Sequence, residues 1–245
     1  MQRLERKRRT ELIKFINKKG MTFDMCTIGC KYIKGLGFVV FKNRDLKKDT
    51  GLKAIKENAE PGCKRILGVS DSWGHFEGIN EKGVAIVHAA LKNKKNIVAP
   101  TMSTINRYLL QSSSAKEAVG IIRKNRLSGN IVVADAEEAY SIEKTPYSIS
   151  VKKIINECVM ANHSERLRNE GCRGKKREES IKRQRNAAKI LKNASKVEEI
   201  KAMLKNKESG ICNKETKSSY IFITKKGEML FRKDSKRGVF KKYKI

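Results

Sequence analysis

Four consecutive apolar residues, Phe38-Val39-Val40-Phe41, place the strongest constraint on how this chain can fold. Side chains of a strand alternate between its two faces, so an unbroken β-favouring apolar run must be covered on both sides. The segment Met25–Tyr32 precedes it, and Lys34-Gly35 supplies the turn. The sequence therefore predicts a central hairpin, Met25–Tyr32 against Gly37–Lys42.

The rest of the chain is read by the same pattern. Residues 50–62 look like a polar connection with a Pro61-Gly62 turn. Arg65–Val69 is a short strand, and Gly78–Leu91 a hairpin turning at Asn80–Gly83. Ser103–Ser112 and Ser114–Arg126 have helical spacing, with Ser114 and Glu117 in a capping-box pattern. Further strands are predicted at Gly129–Ala134, Ala139–Glu143, Ile149–Ile155 and Cys158–Asn162. Amphipathic helices follow at Ser180–Leu191 and Val197–Leu204, then a hairpin Ser219–Thr224/Glu228–Phe231 and an edge strand Phe240–Lys244. Blocks of strands alternate with blocks of helices and antiparallel hairpins dominate, which is α+β layering. Residues 3–19 read as a short basic helix.

Charge comes next, because it bears on partners. The 245 residues carry 56 Lys and Arg against 26 Asp and Glu, a net +30. The excess is concentrated in residues 1–24, 165–207 and 217–245. Such a field attracts anions, including nucleic acid or an anionic substrate. Aromatic residues are sparse and not interleaved with basic ones on the core strands, so no base-stacking platform is legible. Apolar runs are far shorter than the ~18 residues a membrane span needs, and the N-terminus lacks the apolar stretch of a secretory signal. The six cysteines are then expected as thiols in a reducing, cytoplasmic setting. Cys26 and Cys30 lack a second close pair, and His75, His88 and His163 are scattered in sequence, so no metal or other cofactor is expected.

One constellation carries chemistry. The first hairpin brings Lys42-Asn43-Arg44-Asp45 back beside Met25-Cys26-Thr27. A cysteine needs a base to form its thiolate, and no histidine lies near in sequence. If Cys26 becomes the first residue, its own α-amine, with an ordinary pKa of ~8, can take the thiol proton. Asp45 would then orient that amine, and Lys42 would add positive charge favouring thiolate.

At these residues the chain resembles the N-terminal nucleophile (Ntn) hydrolases of the choloylglycine hydrolase and acyl-coenzyme A:isopenicillin N acyltransferase group. Cys26-Thr27 followed by Lys42-Asn43-Arg44-Asp45 is similar to that group's opening, and Gly78–Ala85 is similar to its Gly-x-Asn-Glu-x-Gly-Leu hairpin. Asn130–Asp135 with Ser141–Pro146 resembles its next strand pair, and Ala161-Asn162-His163 its Thr-Asn-His segment. Ser180 and Arg183, then Ile211-Cys212-Asn213 with Ser218-Ser219, continue the likeness. The resemblance implies an αββα sandwich over residues 26–245. It implies a Cys26 nucleophile acting on a linear non-peptide amide or acyl thioester, Asp45 orienting the amine, and Asn162 donating to the oxyanion. Lys42 and Asn43 would support the site.

The chain also departs from that pattern. An asparagine late in the second hairpin is replaced by Val87-His88-Ala89, which leaves His88 or a backbone N–H as the second oxyanion donor. A late arginine has no clear match, and Lys217 stands in that stretch. These gaps keep a catalytically inactive Ntn fold open beside the enzyme, and the net charge of +30 keeps open a basic nucleic-acid-binding protein. Residues 1–25 read as a basic extension. Either the Met25–Cys26 bond is self-cleaved, or translation starts at Met25 and methionine removal exposes Cys26.

Overall fold

The computed structural model describes residues 25–47, 49–58, 60–72, 74–91, 102–167, 170–233 and 238–245, with the side chains of 102–104 left aside. The helix expected at residues 3–19 and the ring of Trp73 lie outside the described residues.

The central hairpin forms as expected, and both strands run longer than the sequence suggested. β1 (Met25–Ile33) pairs antiparallel with β2 (Gly37–Asp45) over their whole length. Gly37 closes the turn at φ 70°, where a Cβ would stand 2.7 Å from the Thr224 hydroxyl. β2 is buried at every position, with even residues Phe38 and Val40 on one face and odd residues Val39 and Phe41 on the other. The apolar run is thus covered on both sides, as the alternation requires.

What covers it is layered. β2 also pairs with β11 (Thr216–Ile223), which continues to β12 (Glu228–Lys233) and β13 (Lys241–Lys244), while β1 pairs with β10 (Glu157–Met160). The result is a six-stranded sheet ordered β10-β1-β2-β11-β12-β13. A second sheet runs in sequence order through β3 (Lys53–Glu57), β4 (Ile66–Ser70), β5 (Phe76–Asn80), β6 (Ala85–Ala89), β7 (Gly129–Ala134), β8 (Ala139–Lys144) and β9 (Ile149–Ile154). Phe38, Val40, Val69, Ile79, Val87, Val132, Tyr220 and Phe222 fill the space between the sheets.

Two helical layers close the sandwich. Helices α1 (Met102–Leu109) and α2 (Ala115–Lys124) cover the outer face of the second sheet, where Leu109, Ala118 and Ile122 pack on Ile86 and Ile131. Helices α3 (Lys175–Lys192) and α4 (Val197–Lys205) cover the first sheet, with Ala187, Leu191 and Ile200 against Val39, Phe41 and Ile221. The order is helix, sheet, sheet, helix: the expected αββα sandwich. Ser114 caps α2 by accepting from the Glu117 N–H, while the Glu117 carboxylate accepts from the Ser113 N–H.

The polar stretch 50–62 differs from the expectation of a plain connection. It contains β3, whose Ala54 and Ile55 alternate between the inter-sheet core and the outer cluster. Its lysines mask the period, and they also suit an exposed edge strand.

Candidate active site

Cross-strand register places the candidate residues. Met25 stands opposite Asp45, Cys26 opposite Arg44, and Ile28 opposite Lys42. The alternation then sorts them by face. Cys26 lies in the inter-sheet cluster, as does Val40, so Lys42 and Arg44 share that side. Asn43 and Asp45 point to the helical side.

On the helical side, Asp45 is buried and held by two groups. It accepts from the Thr216 hydroxyl at 2.6 Å and from Asn213 Nδ2 at 2.9 Å. Burial raises its carboxyl to a pKa of about 6, against the hydrogen bonds and the nearby Arg183 cation, which act to lower it. Asn43 also lies on this face. Its Nδ2 donates to the carbonyls of Leu204 and Ile211, so it ties β2 to α4 and does not join Cys26.

Asn162 reaches the nucleophile's own backbone. It follows β10, two residues past the strand's end. Its Oδ1 accepts from the Cys26 N–H at 2.7 Å and from Arg183 Nη2 at 3.2 Å. Two donors on one atom fix the amide's orientation. Its Nδ2 donates to the Ala90 carbonyl at 3.0 Å. An amide nitrogen carries two hydrogens, and one suffices for Ala90.

The segment around Asn162 is clamped from every side by residues of the motifs quoted above. Asn130 on β7 donates to the carbonyls of Ala161 and His163 at 2.8 and 2.7 Å. Glu143 on β8 accepts from the Ser164 hydroxyl and from the N–H groups of Glu165, Arg166 and Leu167. Burial opposes its charge, but these donors hold its carboxyl below the ordinary range. Ser180 on α3 accepts from the Asn162 N–H at 2.9 Å and bonds the His163 ring at 2.8 Å. His163 is pushed down to about 4, chiefly by burial, so it is a neutral packing group at pH 7.

The inter-sheet side holds a second network that the sequence did not announce. Lys42 Nζ donates to Glu77 Oε1 at 2.8 Å and to the His88 carbonyl at 2.7 Å. Glu77 also accepts from the His88 N–H at 2.7 Å and from the Tyr220 hydroxyl, and His88 Nδ1 lies 2.6 Å from it. His75 Nε2 lies 3.2 Å from the Tyr220 hydroxyl. Arg44 pairs with Asp71 at 2.5 Å, and Asp71 accepts in turn from Thr50. Burial works against the Glu77 charge, yet Lys42, His88 and His75 hold its carboxyl well below the usual range. Burial drives His75 to about 3 and lowers His88, with Lys42 and Arg44 also disfavouring their protonation.

Several of the residues singled out in the sequence have partners here that the sequence does not show. His75 and His88, far apart in sequence, meet at Glu77, their ligand atoms within 4.8 Å of one another. That spacing would suit a metal, but the Lys42 ammonium already sits on the Glu77 carboxylate, so the group reads as an internally paired ion network. Lys42 is balanced by Glu77 and is not an isolated cation beside Cys26. The His88 N–H and Nδ1 are both engaged by Glu77, and Nδ1 also meets Asn106. Lys217 is half-buried at a register shift between Thr216 and Ser218. It takes no part in the bonds around Cys26 that are described above.

Cys26 is 1% exposed, and its thiol is not in a disulfide. Cys30 is on the same face but deep in the core, where burial first and Cys158 second push its thiol well up. That makes it a poor nucleophile.

The comparisons agree with this architecture. The sequence pattern of the family described as acyl-coenzyme A:6-aminopenicillanic acid acyl-transferase matches residues 34–223. Among solved structures, a mutant of the conjugated bile acid hydrolase from Clostridium perfringens superposes with a TM-score of 0.60 at 13% identity. That match covers 90% of this chain and 97% of the hydrolase. No curated protein sequence matches.

Proposed function

The chain belongs to the acyl-coenzyme A:6-aminopenicillanic acid acyl-transferase family, and from that premise we propose that it is an Ntn amidohydrolase or acyltransferase with Cys26 as its nucleophile. The observation that carries this reading is the seat of the Cys26 nitrogen. It is held 2.7 Å from Asn162 Oδ1, on the residue after the one facing Asp45. Once residues 1–25 are removed, that nitrogen is an α-amine held by an amide acceptor, one residue on from the position opposite Asp45.

The chemistry follows from the groups present. The amine takes the Cys26 thiol proton as sulfur attacks the substrate carbonyl. The second hydrogen of Asn162 Nδ2 and the peptide N–H groups nearby would donate to the oxyanion. Loss of one such donor typically costs ~10²–10³ in rate. Collapse breaks the C–N bond of a linear amide, or the C–S bond of an acyl thioester, and the leaving group takes the proton from the ammonium. A thioester on Cys26 remains. Water or an acceptor amine then attacks it, returns the proton to the sulfur through the same amine, and frees a carboxylic acid or a new amide. Asp45 orients the ammonium throughout.

Two chains test the reading, one starting at Met1 and one at Met25. Intact mass and N-terminal sequencing should show a chain beginning at Cys26. That chain should gain one acyl mass from a simple acyl thioester, and Cys26→Ala should not. Retention of Met25 in both chains, or an adduct that persists in Cys26→Ala, would remove it.

A further inference from the structure

The Glu77 network has no role in the reaction just described, yet it lies on the same side of the sheet as the nucleophile. Lys42 is the diagonal cross-strand neighbour of Cys26, since Cys26 pairs with Arg44 and Ile28 with Lys42. Diagonal neighbours on one face are ~7–8 Å apart, within reach of long side chains. Tyr220 is opposite Lys42 on the next strand, and the Cys26 thiol is near enough to bear on the charge of its hydroxyl. The Lys42 and Glu77 side chains are 2% and 0% exposed. Water cannot screen what they present to the sulfur.

We propose that Glu77 is a positioning residue: by holding the Lys42 ammonium on one carboxylate oxygen and the Tyr220 hydroxyl on the other, it sets the charge that the Cys26 sulfur meets from the inter-sheet side. The proposal rests on the reading of Cys26 as nucleophile. The charges around the sulfur explain why Glu77 is the pivotal group. β2 contributes Lys42 and Arg44. The β4–β5 connection contributes Asp71, which neutralises Arg44, and His75. β6 contributes His88, and β11 contributes Tyr220. The histidines and the tyrosine are neutral at pH 7. On the other face, Asp45 and Arg183 act on the amine and on Asn162. Two cations thus meet two carboxylates, and removal of Glu77 leaves Lys42 as the one unbalanced charge on this side among the described residues.

The matched amine base makes this balance useful. An uncompensated lysine would raise the standing thiolate fraction of Cys26 and so lessen what the amine has to do at the moment of attack. A thiol kept protonated until substrate arrives hands its proton to the amine, which needs it for the leaving group.

The test is a pH titration of the Cys26 13Cβ shift in the chain beginning at Cys26, which reads the thiol without any substrate. Glu77→Gln should lower the midpoint by about one pH unit, a tenfold gain in thiolate below the midpoint. Lys42→Met should raise it. The pair Lys42→Met/Glu77→Leu should return it to within a few tenths of wild type, and this apolar exchange keeps the test available if Glu77→Gln fails to fold. Equal midpoints in wild type and Lys42→Met, or a double variant that keeps the full single-variant shift, overturn the proposal. An acyl adduct on a residue other than Cys26 would instead overturn the nucleophile assignment, so the two failures are distinguishable.

Discussion

Met25 and Asp45 face each other across the β1–β2 ladder, so the Met25–Cys26 peptide bond lies beside a buried carboxylate. The carboxylate has Thr216 and Asn213 as fixed donors and lies within the field of Arg183. On the function proposed above, a strand end supplies a nucleophile, its amine and the orienting acid within two residue pairs.

Asp45 is predicted to cost stability for the sake of function. Its carboxyl has a pKa of about 6 in the fold of the unprocessed chain against an ordinary 3.8. Between those values the folded chain holds the extra proton, so the contribution of Asp45 to stability falls as pH rises from about 4 to about 6. The two-unit gap corresponds to about 3 kcal/mol lost above pH 6. Asp45→Asn in the unprocessed chain should therefore raise the melting temperature at pH 7–8 and leave it unchanged near pH 3.5, while the same substitution in the chain beginning at Cys26 lowers turnover by roughly 10²-fold or more. Thermal unfolding at the two pH values together with a turnover assay decides this; a lower melting temperature at pH 7 would contradict it.

Asn162→Ala removes the acceptor for the Cys26 nitrogen and a donor to Ala90. Turnover should fall by roughly 10²–10³-fold. Stability should fall by about 1–3 kcal/mol, because Arg183 and the Ala90 carbonyl lose a buried partner. If acylation of Cys26 proceeds at the wild-type rate in stopped-flow measurements, Asn162 is scaffolding only.

Much of this site was legible because the hairpin is local. The turn at Lys34-Gly35 and the two-faced run after it fix which residues of β2 return to Cys26, so Asp45 could be placed from spacing alone. Asn162 could not, since 136 residues separate it from Cys26, and resemblance to a family supplied it. The same motifs named Asn130, Glu143, Ser180 and Asn213 without saying why. The structure shows that the first three hold the Asn162 segment and the fourth holds Asp45. Glu77, His75 and Tyr220 were out of reach for a different reason. They meet Lys42 across strands and between sheets, where register and sheet stacking decide the contact. A lone Glu or His on a strand carries no mark of that in its sequence. Nor did residues 53–57 announce a strand, because an exposed edge does not keep a clean apolar period.

Glu143 is predicted to act on the site only through the loop that follows Asn162. It accepts three N–H groups and one hydroxyl from residues 164–167, and its side chain is 2% exposed. A carboxyl lowered in the fold stabilises above its unfolded pKa, near 4.5, and loses that contribution as pH falls through the lower folded value. Glu143→Gln should therefore cost about 1–3 kcal/mol at pH 7 and progressively less below pH 4.5. Because the loop it anchors carries Asn162, turnover should fall as well, in kcat more than in KM. Denaturant unfolding at pH 7 and pH 3.5 measures the first effect; a constant difference between variant and wild type at both pH values would show that the charge contributes nothing.

The Lys42–Glu77 pair carries a last prediction that concerns folding and needs no substrate. Both side chains are buried between the sheets, so each has given up its hydration for the other. Glu77→Gln leaves a buried ammonium without its counter-charge and should cost about 3–5 kcal/mol. Lys42→Met/Glu77→Leu removes both charges. It should cost less than the single variant, because two apolar side chains can pack in the cluster of Ile28, Val40, Ile79 and Tyr220. Tyr220 and the His88 N–H lose an acceptor in that exchange, so the double variant stays below wild type by about 1–3 kcal/mol. Urea unfolding of the two variants and wild type measures both differences. A double variant less stable than Glu77→Gln would mean that the carboxylate matters mainly as an acceptor for Tyr220 and His88, and that its charge pairing with Lys42 adds little to the fold.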